Sequence, residues 1–543
     1  MTHSTRNEDS KGPVVLRART SSTGEELSDR KRPLKTDALV LSLITMMVLA
    51  LASGAPEAQT ASPQAPAPAS TPVVLEPCAI DPAVDGPWLG TVAAFEHFDM
   101  GRSHLFRCAS FGGRFDGRND ASYTRLPETY VTPYNIVTGA GGARFVYAGA
   151  YGDFPNVPGS FVAKIDAAGK ELWRRQLFDA RAHPRSWNYP GVVGLHRNGF
   201  VYVVYGTALS KLSPSTGAVL ATVKLPTIGA SADTAYNGFD GFADGDLVMK
   251  AVSRAAGCQE QGFSAFLKCP HPTAVPHSVI AVVNPNTMTL VAKVEAPEFI
   301  GGRLTTTRYH GKDLLYLMGG TSIFRYIWNG RDLQLDKAWG PIPYLKRGQT
   351  AAPAAAIMGD WVVAQTNGLP GDTPLSLVAA RQSDGKFMST QPFAKRKLGE
   401  GTLGAKSFLP SMLTVDAPNG RIYVMDGGQG LVAAISFDRQ TGTMRELWRA
   451  KQRTLNFSTL IGSKSHRVFL ATDIGGPCPR MICLQRYNKE VIVFRNAATG
   501  QEIARSSALP KMTSGALLTP GERGVIYYLG LAGSIYQVTV AAR

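Results

Sequence analysis

Residues 160–177 read Ser-Phe-Val-Ala-Lys-Ile-Asp-Ala-Ala-Gly-Lys-Glu-Leu-Trp-Arg-Arg-Gln-Leu, and this stretch sets the fold. Apolar and polar residues alternate before a tight turn at Asp166 to Gly169, which is the pattern of a β-hairpin with one buried face. The pattern recurs along the chain, so the hairpin belongs to a repeated unit. The copies begin at Ser160, Ala208, Ser278, Ser322, Leu375, Leu431, Val491 and Gly533, and the last stops as the chain ends.

Two further strand-like runs precede most of these hairpins, for example residues 191–195 and 200–206 before the copy at Ala208. Four antiparallel strands per repeat make one blade of a β-propeller. The sequence therefore predicts an all-β, eight-bladed β-propeller over residues 132–543, with seven blades as the alternative.

The last repeat lacks its outer strand, and an unpaired strand edge is a liability for a folded protein. We expect the N-terminal segment 77–131 to supply the missing strand, through the run at 90–98 or the run at 104–110. A disulfide from Cys78 to Cys108 would hold this closing segment in place. Separate packing of residues 77–131 is the alternative.

The N-terminal residues 1–54 have the pattern of an export signal. A polar region ends in the basic run 30–35, the apolar stretch 38–52 follows, and Ala50-Leu51-Ala52 has the form that signal peptidase accepts. This stretch is shorter than the roughly 20 residues that span a membrane. We expect a cleaved signal peptide, with an uncleaved signal anchor as the alternative, then a Pro/Ala/Ser linker at 55–76. The location predicted is periplasmic or secreted.

The six cysteines fall into three pairs that are close in sequence, which favours local disulfides in an oxidising compartment. Free thiols or a zinc site are the alternatives, but the Cys478 to Cys483 spacing lacks the pattern of a zinc ribbon. The predicted pairs are Cys78–Cys108, Cys258–Cys269 and Cys478–Cys483. The last two would hold inserted loops between the second and third strands of their blades.

The chain carries a formal net charge of +16, with 57 Lys and Arg against 41 Asp and Glu. The cations are scattered rather than clustered in a basic tail, so we expect no nucleic-acid partner. A protein or a small anionic ligand, and association with a membrane or another anionic envelope surface, agree better with this charge. We expect a monomer.

The segments that enter successive blades share a chemistry that folding does not require. An aromatic residue stands beside Asn in four of these entries, and a cation stands in the other four. If these side chains converge on the channel mouth, they suit an anionic, flat or sugar-like ligand. The alternative is that the Asn side chains hold turn backbones and the aromatic rings wedge between blades. The candidate ligand-binding residues are Tyr134, Asn135, Trp187, Asn188, Tyr236, Asn237, Asn456, Arg303, Arg347, Lys406 and Lys511.

Two other groups of polar residues are interpreted as structural. His97 and His104 lie in the closing segment without a metal-binding spacing, and we expect solvated or structural roles for them. The acidic run from Asp240 to Asp246 lacks the spacing of a calcium loop and is interpreted as a turn. No metal ligands are predicted.

The pattern D-x-x-G-x-x-x-W at 166–173, with looser echoes at 438–448 and 496–504, resembles the repeat of the quinoprotein-like propellers. That superfamily includes pyrroloquinoline quinone (PQQ) dehydrogenases, amine dehydrogenase propellers and outer-membrane assembly scaffolds, so the resemblance implies a fold and several functions. Adjacent cysteines and a C-x-x-C-H haem motif, which the alcohol-oxidising members carry, are absent here. A tryptophan docking motif is not recognisable in the sequence either.

Three functions follow, and the sequence leaves open whether the chain is an enzyme. The first is an exported binding propeller that recognises a protein or a small anionic ligand on its loop-rich face, which implies no cofactor. The second is a quinoprotein-like oxidoreductase acting on an alcohol, aldose or amine, with PQQ and calcium held near Arg303, Arg347 and Trp187. The third is a propeller hydrolase or lyase. No catalytic residue is assigned.

Overall fold

The structure is a computed structural model of the chain. It describes residues 79–150, 157–229, 233–255, 257–262, 265, 269, 276–368, 373–394, 412–475 and 487–543. Eight of the sheets that these residues form follow one another as the blades of a β-propeller, and the four main strands of each blade are antiparallel. The predicted fold class and the count of eight blades are confirmed.

The first four blades each run in chain order from the innermost strand to the outermost strand. Their inner three strands are mostly buried, and the outermost strand alternates between exposed and half-buried residues, as the repeat predicts. The strands of blade 1 are Pro133–Thr138, Arg144–Ala148, Phe161–Ile165 and Glu171–Gln176, and those of blade 2 are Val192–Leu195, Val201–Tyr205, Ala208–Leu212 and Val219–Lys224. The strands of blade 3 are Thr234–Gly241, Leu247–Ser253, Val279–Asn284 and Thr289–Glu295, and those of blade 4 are Leu304–Tyr309, Lys312–Met318, Ser322–Trp328 and Leu333–Leu335, with Ile342–Pro343 pairing at its edge.

Blades 5 to 7 repeat this order, and blade 7 gains a short parallel strand on its inner edge. The strands of blade 5 are Ala355–Met358, Trp361–Gln365, Leu377–Arg381 and Phe387–Thr390, and those of blade 6 are Thr414–Asp416, Arg421–Asp426, Leu431–Phe437 and Met444–Lys451. Blade 7 contains Leu105–Phe106, Thr459–Ile461, Val468–Asp473, Lys489–Asn496, Glu502–Arg505 and Leu509–Pro510. The remaining short elements are the helix Pro82–Asp85, the 3-10 turns Ala140–Gly142, Ala417–Asn419 and Glu522–Gly524, and the strand pair Gln349–Thr350 with Asn367–Gly368.

Blade 8 combines strands from both ends of the described chain. Its inner strands Thr519–Pro520, Ile526–Leu529 and Ser534–Ala542 come from the C-terminus, and its outermost strand is Asn119–Thr129. The prediction that the segment 77–131 closes the ring is confirmed, since Asn119–Thr129 lies within it. The predicted location of the closing strand at 90–98 or 104–110 is wrong, because Asn119–Thr129 takes that position and Leu105–Phe106, the strand within the second run, pairs with blade 7.

Tryptophan side chains link neighbouring blades through glycines in the turns between third and fourth strands. The Trp173 indole of blade 1 lies against Gly217 of blade 2, where an added Cβ would come within 2.5 Å of the ring. The Trp448 indole of blade 6 covers Gly500 of blade 7 in the same way, at 2.6 Å, and its Nε1 donates to the Ala497 carbonyl at 3.0 Å. A tryptophan docking arrangement therefore exists, contrary to the sequence interpretation.

One predicted disulfide is observed directly. Cys258 is bonded to Cys269, and this bridge lies between the second and third strands of blade 3, as predicted. Cys108 is also disulfide-bonded, and its expected partner Cys78 lies outside the described residues. Cys478 and Cys483 lie outside them as well.

No helix in the described part of the chain has the length and apolar character needed to cross a membrane. The signal segment 1–54 and the linker 55–76 both precede the described residues, so their cleavage and location stay predictions.

The Trp–Gly contacts give a first test of the packing between blades. Gly500 and Gly330 both lie in equivalent blade turns with positive φ angles of 76° and 88°, but only Gly500 faces an indole, and nothing lies within 4 Å of a Cβ at Gly330. We expect Gly330→Ala to cost about 1 kcal/mol of unfolding free energy from backbone strain. Gly500→Ala should cost about 1–3 kcal/mol more, because its methyl group overlaps Trp448. Chemical denaturation measures both variants, and equal losses would contradict the docking.

Candidate functional site

The central channel of the propeller contains residues 93–106 of the N-terminal segment, here called the plug. Nearly every side chain of the plug is buried. Backbone N–H groups of the innermost blade strands donate to plug carbonyls in the order of the ring. These hydrogen bonds run from Thr138 to Ala93, Leu195 to Ala94, Thr306 to Met100, Ile357 to Gly101, Val415 to Ser103 and Leu460 to His104, at 2.8–3.1 Å.

The plug forms because each innermost strand would otherwise present unpaired backbone groups to the channel. Its apolar side chains Phe95 and Phe98 fill the space between the blades, and the Phe95 ring stacks on Trp88 with centroids 3.8 Å apart. Where the plug lies, the channel is closed by the chain itself.

The plug carries a buried ion pair to blade 4. Arg303 Nη2 lies 2.8 Å from Glu96 Oε1 and also donates to the Tyr134 hydroxyl at 3.1 Å. Burial alone would raise the pKa of the Glu96 carboxyl, but Arg303, His97 and Arg102 together hold that pKa well below its ordinary value. Glu96 is therefore a buried anion fixed among cations.

A second buried pair joins the plug to blade 3. Arg102 Nε lies 3.4 Å from Asp240 Oδ2, and Arg102 Nη2 donates to the Phe239 carbonyl at 3.1 Å. Burial raises the pKa of Asp240 to about 8, although Arg102 opposes this shift. At neutral pH Asp240 is accordingly mostly protonated, whereas Glu96 is ionised.

Two stacked histidines continue the cluster. His97 Nδ1 lies 2.6 Å from His104 Nε2, and His104 Nδ1 lies 3.0 Å from the Ser458 carbonyl. Burial lowers the pKa of His97 to about 4 and places the pKa of His104 well below its ordinary value. Both rings are neutral at physiological pH and fully buried, so the solvated role that the sequence allowed is wrong and the structural role stays a prediction.

The predicted ligand-binding residues separate into groups. Tyr134 and Arg303 are brought together, and Arg303 also pairs with Glu96, which the sequence analysis did not select. Asn135 pairs with both backbone groups of Val193 in blade 2 at 3.0 Å, which is the structural role given as the alternative.

The other candidates belong to different blades, and Tyr236, Asn237 and Asn456 among them are buried. Tyr236 donates to the Pro226 carbonyl at 2.7 Å, Arg347 is exposed, and Lys511 lies 4.6 Å from the Tyr487 ring centre. Asn237 and Asn456 each leave a buried side-chain oxygen without a hydrogen-bond partner among the described residues. Lys406 lies outside the described residues.

Trp187 and Asn188 lie together at a cavity of about 180 Å³ between blades 1 and 2. The cavity opens on the face that carries the blade-entry loops and the Cys258–Cys269 loop. Trp187 Nε1 donates to the Gly262 carbonyl at 3.2 Å, and Asn188 Nδ2 donates to the Gly149 carbonyl at 3.1 Å. The side chains are thus held in place by the inserted loop and by blade 1. The lining residues are Ser160, Phe178, Ser186, Trp187, Asn188, Tyr189, Tyr205, Gly206, Thr207, Ala208 and Thr234.

Comparison with solved structures places the chain among β-propellers. It is similar to the quinohemoprotein alcohol dehydrogenase from Comamonas testosteroni, with 11% identity over 84% of this chain and 81% of that chain, at a TM-score of 0.55. A europium-containing methanol dehydrogenase matches with 9% identity over 83% of this chain and 98% of that chain, at a TM-score of 0.49. BamB from Moraxella catarrhalis matches with 14% identity over 77% and 98%, at 0.46.

At these identities the first likeness shows the fold alone, and it confirms the quinoprotein-like resemblance of the repeats at that level. The chain matches no family model and no curated protein sequence.

The buried cluster predicts losses of stability of different size for substitutions at two acidic residues. Glu96→Gln leaves Arg303 buried without a counter-charge, which should cost about 3–5 kcal/mol of unfolding free energy at pH 7. Asp240→Asn should cost much less at this pH, because the native carboxyl is already mostly neutral. Equilibrium denaturation of both variants tests this, and equal losses would contradict the assigned charges.

Asp240 also predicts a pH dependence. Its native pKa of about 8 lies above the ordinary value of 3.8, so the native state binds more protons than the unfolded state between these limits. Stability contributed by this group therefore falls as the pH rises from about 4 to 8. We expect the stability of the wild type relative to Asp240→Asn to decrease over this range, measured by denaturation at several pH values. A flat difference would contradict the raised pKa.

Proposed function

We propose that this chain is an exported binding propeller that recognises its ligand or partner on the face carrying the blade-entry loops. The observation that carries the proposal is the plug. Since the chain's own backbone and side chains occupy the central channel, a ligand has to bind on a face of the propeller rather than within the ring. The signal segment 1–54 supports export.

The entry face has the chemistry of a recognition surface. It carries the cavity at Trp187, the disulfide-bonded loop of blade 3 and the exposed cations Lys346 and Arg347. Loops held on a rigid scaffold are the usual location of binding residues. Exposed cations there would attract an anionic ligand or partner, in agreement with the net charge of +16.

A PQQ-dependent oxidoreductase is the alternative that the fold likeness favours. Among the described residues, no three His, Cys, Asp or Glu side chains come together in a way that could hold a metal ion. Arg303, which the sequence assigned to the cofactor, is instead buried and paired with Glu96. The described residues therefore do not fit PQQ with calcium, and no redox step is derived for this chain.

A hydrolase or lyase would need a nucleophile that the substrate can reach. The Thr414 hydroxyl lies 3.5 Å from His104 Nδ1 and 2.7 Å from the Ser458 hydroxyl. All three side chains are fully buried. This arrangement supports packing of the plug rather than hydrolysis.

Charge reversal on each face tests the proposal. Lys346 and Arg347 belong to the entry face. Lys312 begins the second strand of blade 4 and Arg331 lies in the turn before its fourth strand, both on the opposite face, and all four residues are exposed. We expect Lys346→Glu with Arg347→Glu to weaken binding of dextran sulfate at low salt, measured by titration calorimetry. Lys312→Glu with Arg331→Glu is the control of equal charge and should weaken it less.

Equal weakening by the two double variants would contradict a specific entry face, since it would reflect net charge alone.

Added PQQ with Ca²⁺ should leave the melting temperature unchanged. A clear rise in melting temperature together with dye reduction by an alcohol would replace the binding function with the oxidoreductase.

A further inference from the structure

The cavity between blades 1 and 2 on the entry face has walls of aromatic rings and hydroxyl groups. Phe178 and Tyr205 are its half-buried rings, and Trp187 and Tyr189 lie behind with ring centres 4.8 Å apart. Ser186 and Thr207 bring hydroxyls to the opening. The lining is therefore both flat and rich in hydrogen-bonding groups.

None of the lining residues is charged. A buried anion or cation needs a partner of opposite charge, and this lining provides none. The sequence allowed an anionic, flat or sugar-like ligand. Because the lining carries no charge, this cavity does not suit the anionic ligand, and a flat or sugar-like one remains.

The lining is also held in one arrangement. The Tyr205 hydroxyl lies 3.0 Å from the Ser210 hydroxyl, and Thr234 Oγ1 accepts from the Ile228 backbone at 3.0 Å. Gln261 Oε1 accepts from the Asn188 backbone at 2.8 Å, which connects the cavity to the disulfide-bonded loop. A pocket that is arranged before binding loses little freedom when a ligand enters.

The size of the cavity suits one small ring. Its volume is about 180 Å³, against the about 10–15 Å³ that one water molecule needs, so it has room for a single six-membered ring with its substituents.

We propose that this cavity is a seat for one uncharged sugar ring. The apolar faces of a pyranose match the rings of Phe178 and Tyr205, and its hydroxyls match Ser186 and Thr207. The inference rests on the proposed function and deepens it by naming the ligand class. The exposed cations of the entry face would then attract the acidic parts of a larger glycan, while the cavity holds a neutral unit.

Two variants at the seat and one matched control test the inference in the full mature chain. Phe178→Ala removes an aromatic wall, and Thr207→Phe fills the opening. Phe200→Ala is the control, because Phe200 is also half-buried but lines a cavity on the opposite face between the same blades. The melting temperature of each variant is measured first, and only folded variants are compared.

The probes are the methyl glycosides of glucose, galactose, mannose and N-acetylglucosamine, followed by saturation-transfer NMR. We expect at least one glycoside to bind the wild type and the Phe200→Ala variant with a Kd of about 1 mM. Phe178→Ala and Thr207→Phe should each weaken it by about tenfold.

Absence of transfer from all four glycosides, or transfer unchanged in both seat variants, would overturn the sugar seat. Loss of transfer in Phe200→Ala alone would place the ring on the opposite face and would also overturn it. These results are separable from the proposed function, which is tested by the entry-face preference of dextran sulfate binding and by the response to PQQ with Ca²⁺.

Discussion

The hydrogen bonding between the plug and the innermost strands is the constraint on which the rest of this structure depends. A propeller ring leaves the inner edge of each blade facing the channel, with backbone groups that need partners. Here Thr138, Thr306, Ile357 and Leu460 are among the residues whose N–H groups are satisfied by plug carbonyls. The same N-terminal segment then continues to Asn119–Thr129 and closes blade 8. One stretch of chain thus fills the channel and joins the two ends of the ring, and it moves any ligand site to the faces.

The buried charges follow from this arrangement. The plug brings Glu96 and Arg102 into an apolar interior, where an unpaired charge would be costly. Arg303 of blade 4 pairs with Glu96, and in blade 3 the Asp240 carboxyl and the Phe239 carbonyl contact Arg102. A cluster of this kind in a cleft would be a candidate for catalysis. Here the cluster is buried among the blades, and its charged side chains pair with groups inside the cluster.

The repeats predict most of the fold because each blade has the same alternation of apolar and polar residues. The location of the closing strand could not be predicted in this way. Asn119–Thr129 is mostly exposed and reads as polar, so no alternation identifies it. Residues 93–106 are almost all buried because blades surround them, and the charged and polar residues among them pair with one another or with the blades, so the segment has no strand-like alternation of exposed and buried positions. The Trp173–Gly217 contact was missed because its two residues belong to different blades.

The candidate site was predicted only in part, because the sequence shows which residues are neighbours along the chain and not which ones meet in the fold. Trp187 and Asn188 are neighbours in sequence and do line a cavity together, whereas Glu96, Asp240 and Arg303 meet only through the path of the plug. The path of the plug depends on tertiary packing. In the sequence it is indicated by Glu96 and His97, which interrupt an apolar run.

Hydrogen exchange of the backbone amides tests the plug most directly. We expect slow exchange, close to that of the blade cores, for the amides of Thr306, Ile357, Val415 and Leu460 and for peptides from residues 93–106. Exchange at these amides and peptides as rapid as in an unfolded chain would show that the channel is open and would contradict the account.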